Sequence, residues 1–487
     1  MVENKRNTMI ILTVIITLLM FNISLADNNK KATDYIEIGL FFRDTSKSSI
    51  CLKSTTGFEV GKFVENEFIP LLDLSEEKMI VLQNDTHGGN NGEKYLAYEI
   101  NDDFKQYMIT TSPSSTGVQV IDSRGNVLYV FNSESDIYFR GFNNGSIPVI
   151  DVEGKQYRGA ITAKRVNGGD MTIVNKLALD EYLYGVIPNE MPALWPMEAL
   201  KAQAVVARGY ALMNMNKFRS LGFDLCSTTS SQAYGGFDKE HPNTNRAVME
   251  TKSAHLTYNG QLVDAFYHAN SGGCTEDSEN IWFQPIPYIR SVRDDFSLGH
   301  PNSVWNEILT KDHIKGLLEK ENIFIGDIIA IKITSISPNG RVLELTIQGS
   351  NGQEILLKER ARLVLGLKST WFTINGNDDY ANRSDIFVLD NKAKSLESSV
   401  LKNEILISAK GISQIKDLSN VKIFNGITYN EGPQSPKLTN NSFEFNGRGH
   451  GHGLGMSQWG AKKMAEEGYS YLEILNHYYT DTKVEYY

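Results

Sequence analysis

One carboxylate stands alone among apolar and proline neighbours in Val186-Ile187-Pro188-Asn189-Glu190-Met191-Pro192. Such surroundings disfavour the ionised form and raise a carboxyl pKa, as a general acid working near neutral pH requires. The same residues also allow a loop glutamate that caps the next helix or sits in solvent. A second stretch, GRGHGHGLGMSQWGA at 447–461, carries six glycines in fifteen residues, so its backbone must turn sharply or let a ligand approach closely. His450 and His452 alternate and would share one face of an extended segment, where hydrogen bonding ranks ahead of metal binding. Ser457 can cap the helix that Gln458 and Trp459 begin. A Gly-rich loop entering a helix also suits phosphate, but this is not P-loop spacing. Third, His268 and Cys274 are two soft ligands six residues apart, half of a zinc site. The carboxylates nearby, Glu276, Asp277 and Glu279, are hard ligands, and a buried histidine with a free thiol explains the pair as well.

The elements that must hold these residues can be read from pattern. Residues 177–215 run an alternating apolar strand into a loop punctuated by Pro188, Pro192 and Pro196, with Glu190 in that loop. Pro196 can open a helix, having no N–H to leave unpaired, and Glu198 suits the first turn. Met197 to Asn216 is then a buried, Ala-rich helix. Before it, Asn167-Gly168-Gly169-Asp170 is a hairpin turn. After it come a polar loop at 226–245, a short helix from about Asn245, and a strand pair around Asn259-Gly260. Residues 300–323 read as a helix with polar faces, 328–349 as a hairpin at Asn339-Gly340, and 360–366 as helical. Polar stretches around 376–384 and 430–441 bracket further strands. The tail from Ser457 is helical, and Ser470-Tyr471-Leu472-Glu473 is a capping box for a last helix after Gly468.

Length and composition bound the classes. The chain has 487 residues and a formal net charge of −10. Two to four domains are expected, and nucleic acid is not expected as a partner, because phosphate binding needs clustered Lys and Arg. Lys5 and Arg6 precede the apolar run Met9 to Phe21, and Ser24-Leu25-Ala26 follows as a small-residue cleavage pattern. Residues 1–26 therefore read as a signal peptide or an N-terminal membrane anchor. Three cysteines, Cys51, Cys226 and Cys274, are too few for a disulfide scaffold. From 34 to 150, short alternating runs such as YIEIGLFF and VLYVFN mark a β-rich N-terminal region with no evident chemistry.

Five ordered stretches carry a resemblance: EYLYGVIPNEMP (181–192), WPMEALKAQAVVARGYAL (195–212), TTSSQAYGG (228–236), AFYHANSGGCTEDSENIW (265–282) and the 447–461 stretch, with LGLKSTWF at 365–372 in support. Together they resemble the SpoIID/LytB family of bacterial sporulation and cell-wall proteins over about 150–485. The resemblance implies a lytic transglycosylase acting on peptidoglycan glycan strands stripped of peptides, with Glu190 as the single catalytic carboxyl and 1,6-anhydroMurNAc as product. It implies substrate contacts from Ser271, Gly272, Gly273, His452 and Gln458, with Arg208 and Tyr210 as lesser candidates. Some members resemble zinc proteins at His268 and Cys274, but their second His-Cys pair falls on Glu279 and Asn280 here, so no metal and no other cofactor is expected. The LytB side resembles an enhancer of a cell-wall amidase, which makes a non-catalytic glycan-binding protein the alternative and an amidase a partner to expect. Location would be extracytoplasmic, secreted or anchored at the cell wall.

The fold class expected is α+β: mixed sheets packed on the 197–216 helix, preceded by the 34–150 β region, with 151–487 as the catalytic region. Glu190 is expected beside a groove that the 447–461 loop faces.

Overall fold

The computed structural model describes residues 35–375 and 441–486, save 65, 86–94, 101–105, 112–115 and 283, together with the backbone of three short hairpins between 385 and 431. The expected N-terminal leader, and the polar stretches expected at 376–384 and 430–441, lie almost wholly outside the described residues. Two compact units divide the chain: Met1–Asp264 with Val484–Tyr487, and Ala265–Lys483. The architecture is α+β, as expected.

In the first unit a seven-stranded sheet runs in the order Leu225–Cys226, Tyr35–Phe41, Met171–Ala178, Ala160–Arg165, Tyr138–Gly141, Phe58–Val64 and Glu67–Leu74. Its pairings are antiparallel except that of Tyr35–Phe41 with Leu225–Cys226. A six-stranded sheet contains Met79–Asn84, whose burial alternates strictly, as period-2 patterning demands of a half-buried strand. Because Tyr35–Phe41 pairs with Met171–Ala178 over most of its length, strands from either side of residue 150 share one sheet. The compact units accordingly divide at Asp264.

Helix α1, Leu179–Glu190, corrects the expected loop. Three prolines in nine residues suggested irregular backbone, yet Leu179, Tyr182, Leu183, Val186 and Ile187 recur at helical spacing and all are buried. Asp180 and Glu181 in the first turn complement the helix dipole. Pro188 forfeits one N–H in the last turn only, where little helix remains to be interrupted. Helix α2, Met197–Met213, follows Pro196 as expected and buries twelve of its seventeen residues. Helix α3, Pro242–Glu250, completes the helical layer.

In the second unit the strand Tyr267–His268 precedes its first helix, α4, Ser278–Ile281. The helix expected over 300–323 is in fact the strand Val304–Thr310 followed by helix α5, Lys311–Lys320. Trp305 is buried while Val304, Asn306 and Ile308 are exposed, so the segment alternates with period two and pairs along its length with Ser442–Arg448. The hairpin Ile328–Ile336/Val342–Gly349 turns at Asn339-Gly340, as expected. Helices α6 (Glu359–Leu365), α7 (Gln458–Glu466) and α8 (Tyr471–Tyr478) follow. A core of Trp305, Ile331, Leu345, Ile347, Phe372 and Phe445 joins the strands to Ile314 and Leu318 of α5 and Ala361 and Leu365 of α6. Each such aliphatic side chain contributes about 1.5–3 kcal/mol on burial.

Candidate active site and its relatives

Glu190 is the last residue of α1 and is partly buried. The next residue, Met191, is extended and returns its N–H to the Ile187 carbonyl at 2.9 Å, so the chain leaves the helix directly after the carboxylate. The charge of Glu190 reaches two phenols, Tyr182 of α1 and Tyr210 of α2, and adds to the burial that holds both pKa values up, Tyr210 to about 12. Both are therefore neutral hydroxyls at any working pH.

The TTSSQAYGG stretch supports this end of α1 from below. Tyr182 donates to Gln232 Oε1 at 3.2 Å, and Gln232 Nε2 donates to the Ala207 carbonyl of α2 at 3.3 Å. Tyr234 donates to Asn175 Oδ1 at 2.9 Å. Gly185 meets the Tyr234 ring so closely that a Cβ would lie 2.6 Å from it. Asn189 clasps the Gly185 and Ala233 carbonyls at 2.9 and 3.1 Å. Arg208 is 2% exposed and donates to Asp180 and to the Val248 and Ala254 carbonyls, tying α1, α3 and the following strand together.

The remaining expected residues lie in the second unit. The strand Tyr267–His268 pairs in parallel with Met456–Ser457, which sets the SGG turn beside the Gly-rich loop. The alternating glycines are demanded by this approach. A Cβ on Gly451 (φ 103°) would lie 2.8 Å from the His268 Cβ, and one on Gly453 (φ 83°) 2.5 Å from the Arg341 guanidinium carbon. Ser457 caps α7 by accepting from the Gly460 N–H at 3.3 Å, as expected.

Ser271 is fully buried. Its hydroxyl donates to Asp294 Oδ2 at 2.7 Å and meets the Ser297 hydroxyl at 2.8 Å. Tyr478 donates to the other Asp294 oxygen at 2.9 Å. Burial raises the Asp294 carboxyl pKa, and the Ser271 and Tyr478 hydroxyls pull against it. The Gly272 N–H goes to Asn270 Oδ1 and the Gly273 N–H to the Ser297 and Ser271 hydroxyls. Gln458 is buried at the start of α7. His452 accepts the Leu454 N–H on Nδ1 at 3.0 Å and lies 5.6 Å from the His268 ring. Burial pushes its pKa down to about 3, so it is a neutral imidazole.

A four-ligand zinc site does not fit here. His268 and Cys274 are present, but Glu279 is held by Arg290 at 2.8 Å, which keeps its pKa at about 2, and Asn280 donates to Glu276 at 2.9 Å. Glu276, wholly buried, also accepts from Ser337 and Asn339 at 2.6 and 2.8 Å. Arg341, equally buried, bridges the Ser271 and Cys274 carbonyls at 3.1 Å each. Asp294 and Arg341 are absent from the residues expected, and neither sits in a local pattern that announces it; Glu276 is expected only as a hard carboxylate near His268 and Cys274.

Residues 167–258 match the family model described as Stage II sporulation protein. That match takes in Glu190 and the first three stretches of the resemblance. An Amidase enhancer of Bacillus subtilis is 30% identical over 359 residues, 68% of this chain and 44% of that protein, so the chain spans less than half the length of this relative. An uncharacterised protein of Brachyspira hyodysenteriae is 26% identical, covering 80% of this chain and 87% of its own length. The Stage II sporulation protein D of Bacillus subtilis is 25% identical, covering 64% and 75%. With the ordered motifs placed on α1, α2 and the loop beneath them, the chain belongs to the SpoIID/LytB family.

Proposed function

We propose that the chain is a peptidoglycan lytic transglycosylase whose single acid–base group is Glu190. The family and the names of its relatives support a cell-wall-related role. The observation that carries the finer reading is the position of Glu190: a partly buried carboxyl at the end of a half-buried helix, whose charge reaches two phenols that stay neutral. In the reaction the Glu190 carboxylic acid donates its proton to the oxygen leaving MurNAc C1, and the C1–O bond breaks. The resulting carboxylate takes the proton of the sugar's 6-hydroxyl while O6 bonds to C1 and closes the 1,6-anhydro ring. Because the nucleophile is internal, no second carboxylate is needed to activate water, unlike the usual glycosidase pair, and its high effective molarity favours the closure.

Ser271, Gly272, Gly273, His452 and Gln458 of the second unit are proposed as glycan contacts. The protein works outside the cytoplasm, secreted or held by its N-terminus. Among the described residues no helix is long and apolar enough to cross a membrane.

The test is mass spectrometry of denuded glycan strands after incubation with the protein and with Glu190→Gln. Products ending in 1,6-anhydroMurNAc from the unaltered protein only are expected. Reducing-end products would mean that water attacks. The Amidase enhancer relative favours a second reading, a non-catalytic glycan-binding protein that stimulates an amidase; strands bound but uncut would favour it.

A further inference from the structure

The C-terminal turn of α2 gathers polar groups that the proposed mechanism does not use. Tyr210 is half-buried there, and its hydroxyl makes no hydrogen bond to any described residue. Asn214 caps the same helix. Its amide donates to the Tyr210 carbonyl at 3.0 Å and to Asp264 Oδ1 at 3.1 Å, which tethers the Asp264 carboxyl to the turn that carries the phenol. Asp264, like Glu190 and Tyr210, is partly open to solvent. The charged and titratable groups facing Tyr210 are Asp264, the Cys226 thiol, Glu190 and the neutral Tyr182 phenol; Lys217 faces Asp264. Cys226 meets the Thr228 and Ser231 hydroxyls, and Lys217 donates to the Ser230 carbonyl at 2.7 Å.

We infer that Tyr210 is a further substrate-contacting residue beside Glu190, and that Asp264, tethered by Asn214, is the positioning residue that orients its hydroxyl. The inference rests on the part of that reading that places a glycan site at Glu190, and not on Glu190 acting there as the acid. A neutral phenol can accept a sugar hydroxyl or donate to a ring or glycosidic oxygen, which suits a pyranose chain. With Asp264 ionised, the phenolic hydrogen turns toward that charge and the phenol oxygen is left to accept from the sugar. Burial raises Asp264 to about 6, against the pull of Asn214 and Lys217, so this orientation is lost as the pH falls through that value.

Titration calorimetry of denuded glycan strands on the Glu190→Gln protein reads binding without turnover. Adding Tyr210→Phe should weaken binding about tenfold, one lost hydrogen bond. Adding Asp264→Asn should flatten a rise in affinity between pH 5 and 7, a readout that a merely structural role would not move. Unchanged affinity in the Tyr210→Phe protein, a pH dependence that survives Asp264→Asn, or no glycan binding at all would overturn the inference. If the unaltered protein cuts no strands while Tyr210→Phe still weakens binding, the transglycosylase reading falls and this one stands. If it cuts strands in a Glu190-dependent way and Tyr210→Phe changes neither cutting nor binding, the reverse holds.

Discussion

At the ends of α1 and α2, Glu190, Tyr210 and Asp264 are partly open to solvent, and the Tyr210 hydroxyl has no hydrogen bond to a described residue. Around the SGG turn, Ser271, Asp294, Ser297 and Tyr478 are buried and bonded to one another. Both regions are rich in residues that could do chemistry. A buried, satisfied polar lattice fixes a shape, while the half-open Tyr210 hydroxyl keeps capacity for a ligand. Residue type alone would rank the two alike; the bonds already made tell them apart.

The comparison breaks most sharply at Glu190. Glu190→Gln should lower glycan cleavage by about 10²–10⁴-fold, the usual worth of a general acid, with a melting temperature close to that of the unaltered protein. Loss of fold instead would make Glu190 part of the scaffold. Asp294→Ala should do the opposite, removing the acceptor of two buried hydroxyls and costing about 3 kcal/mol or more of stability in urea titrations. Ser271→Ala removes one donor from the same carboxylate and should cost about 1–3 kcal/mol; a neutral outcome would mean the lattice is dispensable.

The smallest effects concern pH, and they have opposite signs in the two regions. The Asp264 carboxyl is raised from 3.8 to about 6, so the folded chain holds the extra proton in that window and its stability falls as pH climbs through it. Asp264→Asn should raise the melting temperature at pH 7 and leave it unchanged near pH 3.5. His452 is lowered from 6.5 to about 3, so the unfolded chain takes the extra proton and stability falls as pH drops through that window. His452→Gln should blunt this acid loss and change little at pH 8.

What could be read in the sequence was local. The Ser457 cap, the Ser470–Glu473 capping box and the Asn339-Gly340 turn depend on neighbours a few residues away, and all three form. Glu190 was conspicuous as one charge among apolar residues, but its prolines masked the helical spacing of Leu179, Tyr182, Leu183, Val186 and Ile187. Asp294 was invisible because its partners lie 23 residues before it and 184 after it. Arg341 reaches back 70 residues to the Ser271 carbonyl, and no periodicity signals that. Tyr210 stands out by its position on the Ala-rich helix, whereas Asp264 sits in an ordinary strand exit.

The parallel pairing of Tyr267–His268 with Met456–Ser457 also governs when this part of the molecule can form. The partners are separated by most of the second unit, so closing the loop between them is entropically costly before any bond repays it. High sequence separation of this kind slows folding. The bond from Tyr478 to Asp294 has the same character. Until the last thirty or so residues arrive, Asp294 lacks Tyr478 and the SGG turn lacks its strand partner. A chain emerging N-terminus first can settle α1 and α2 early, but must leave the SGG region open to proteases or chaperones until its tail is delivered.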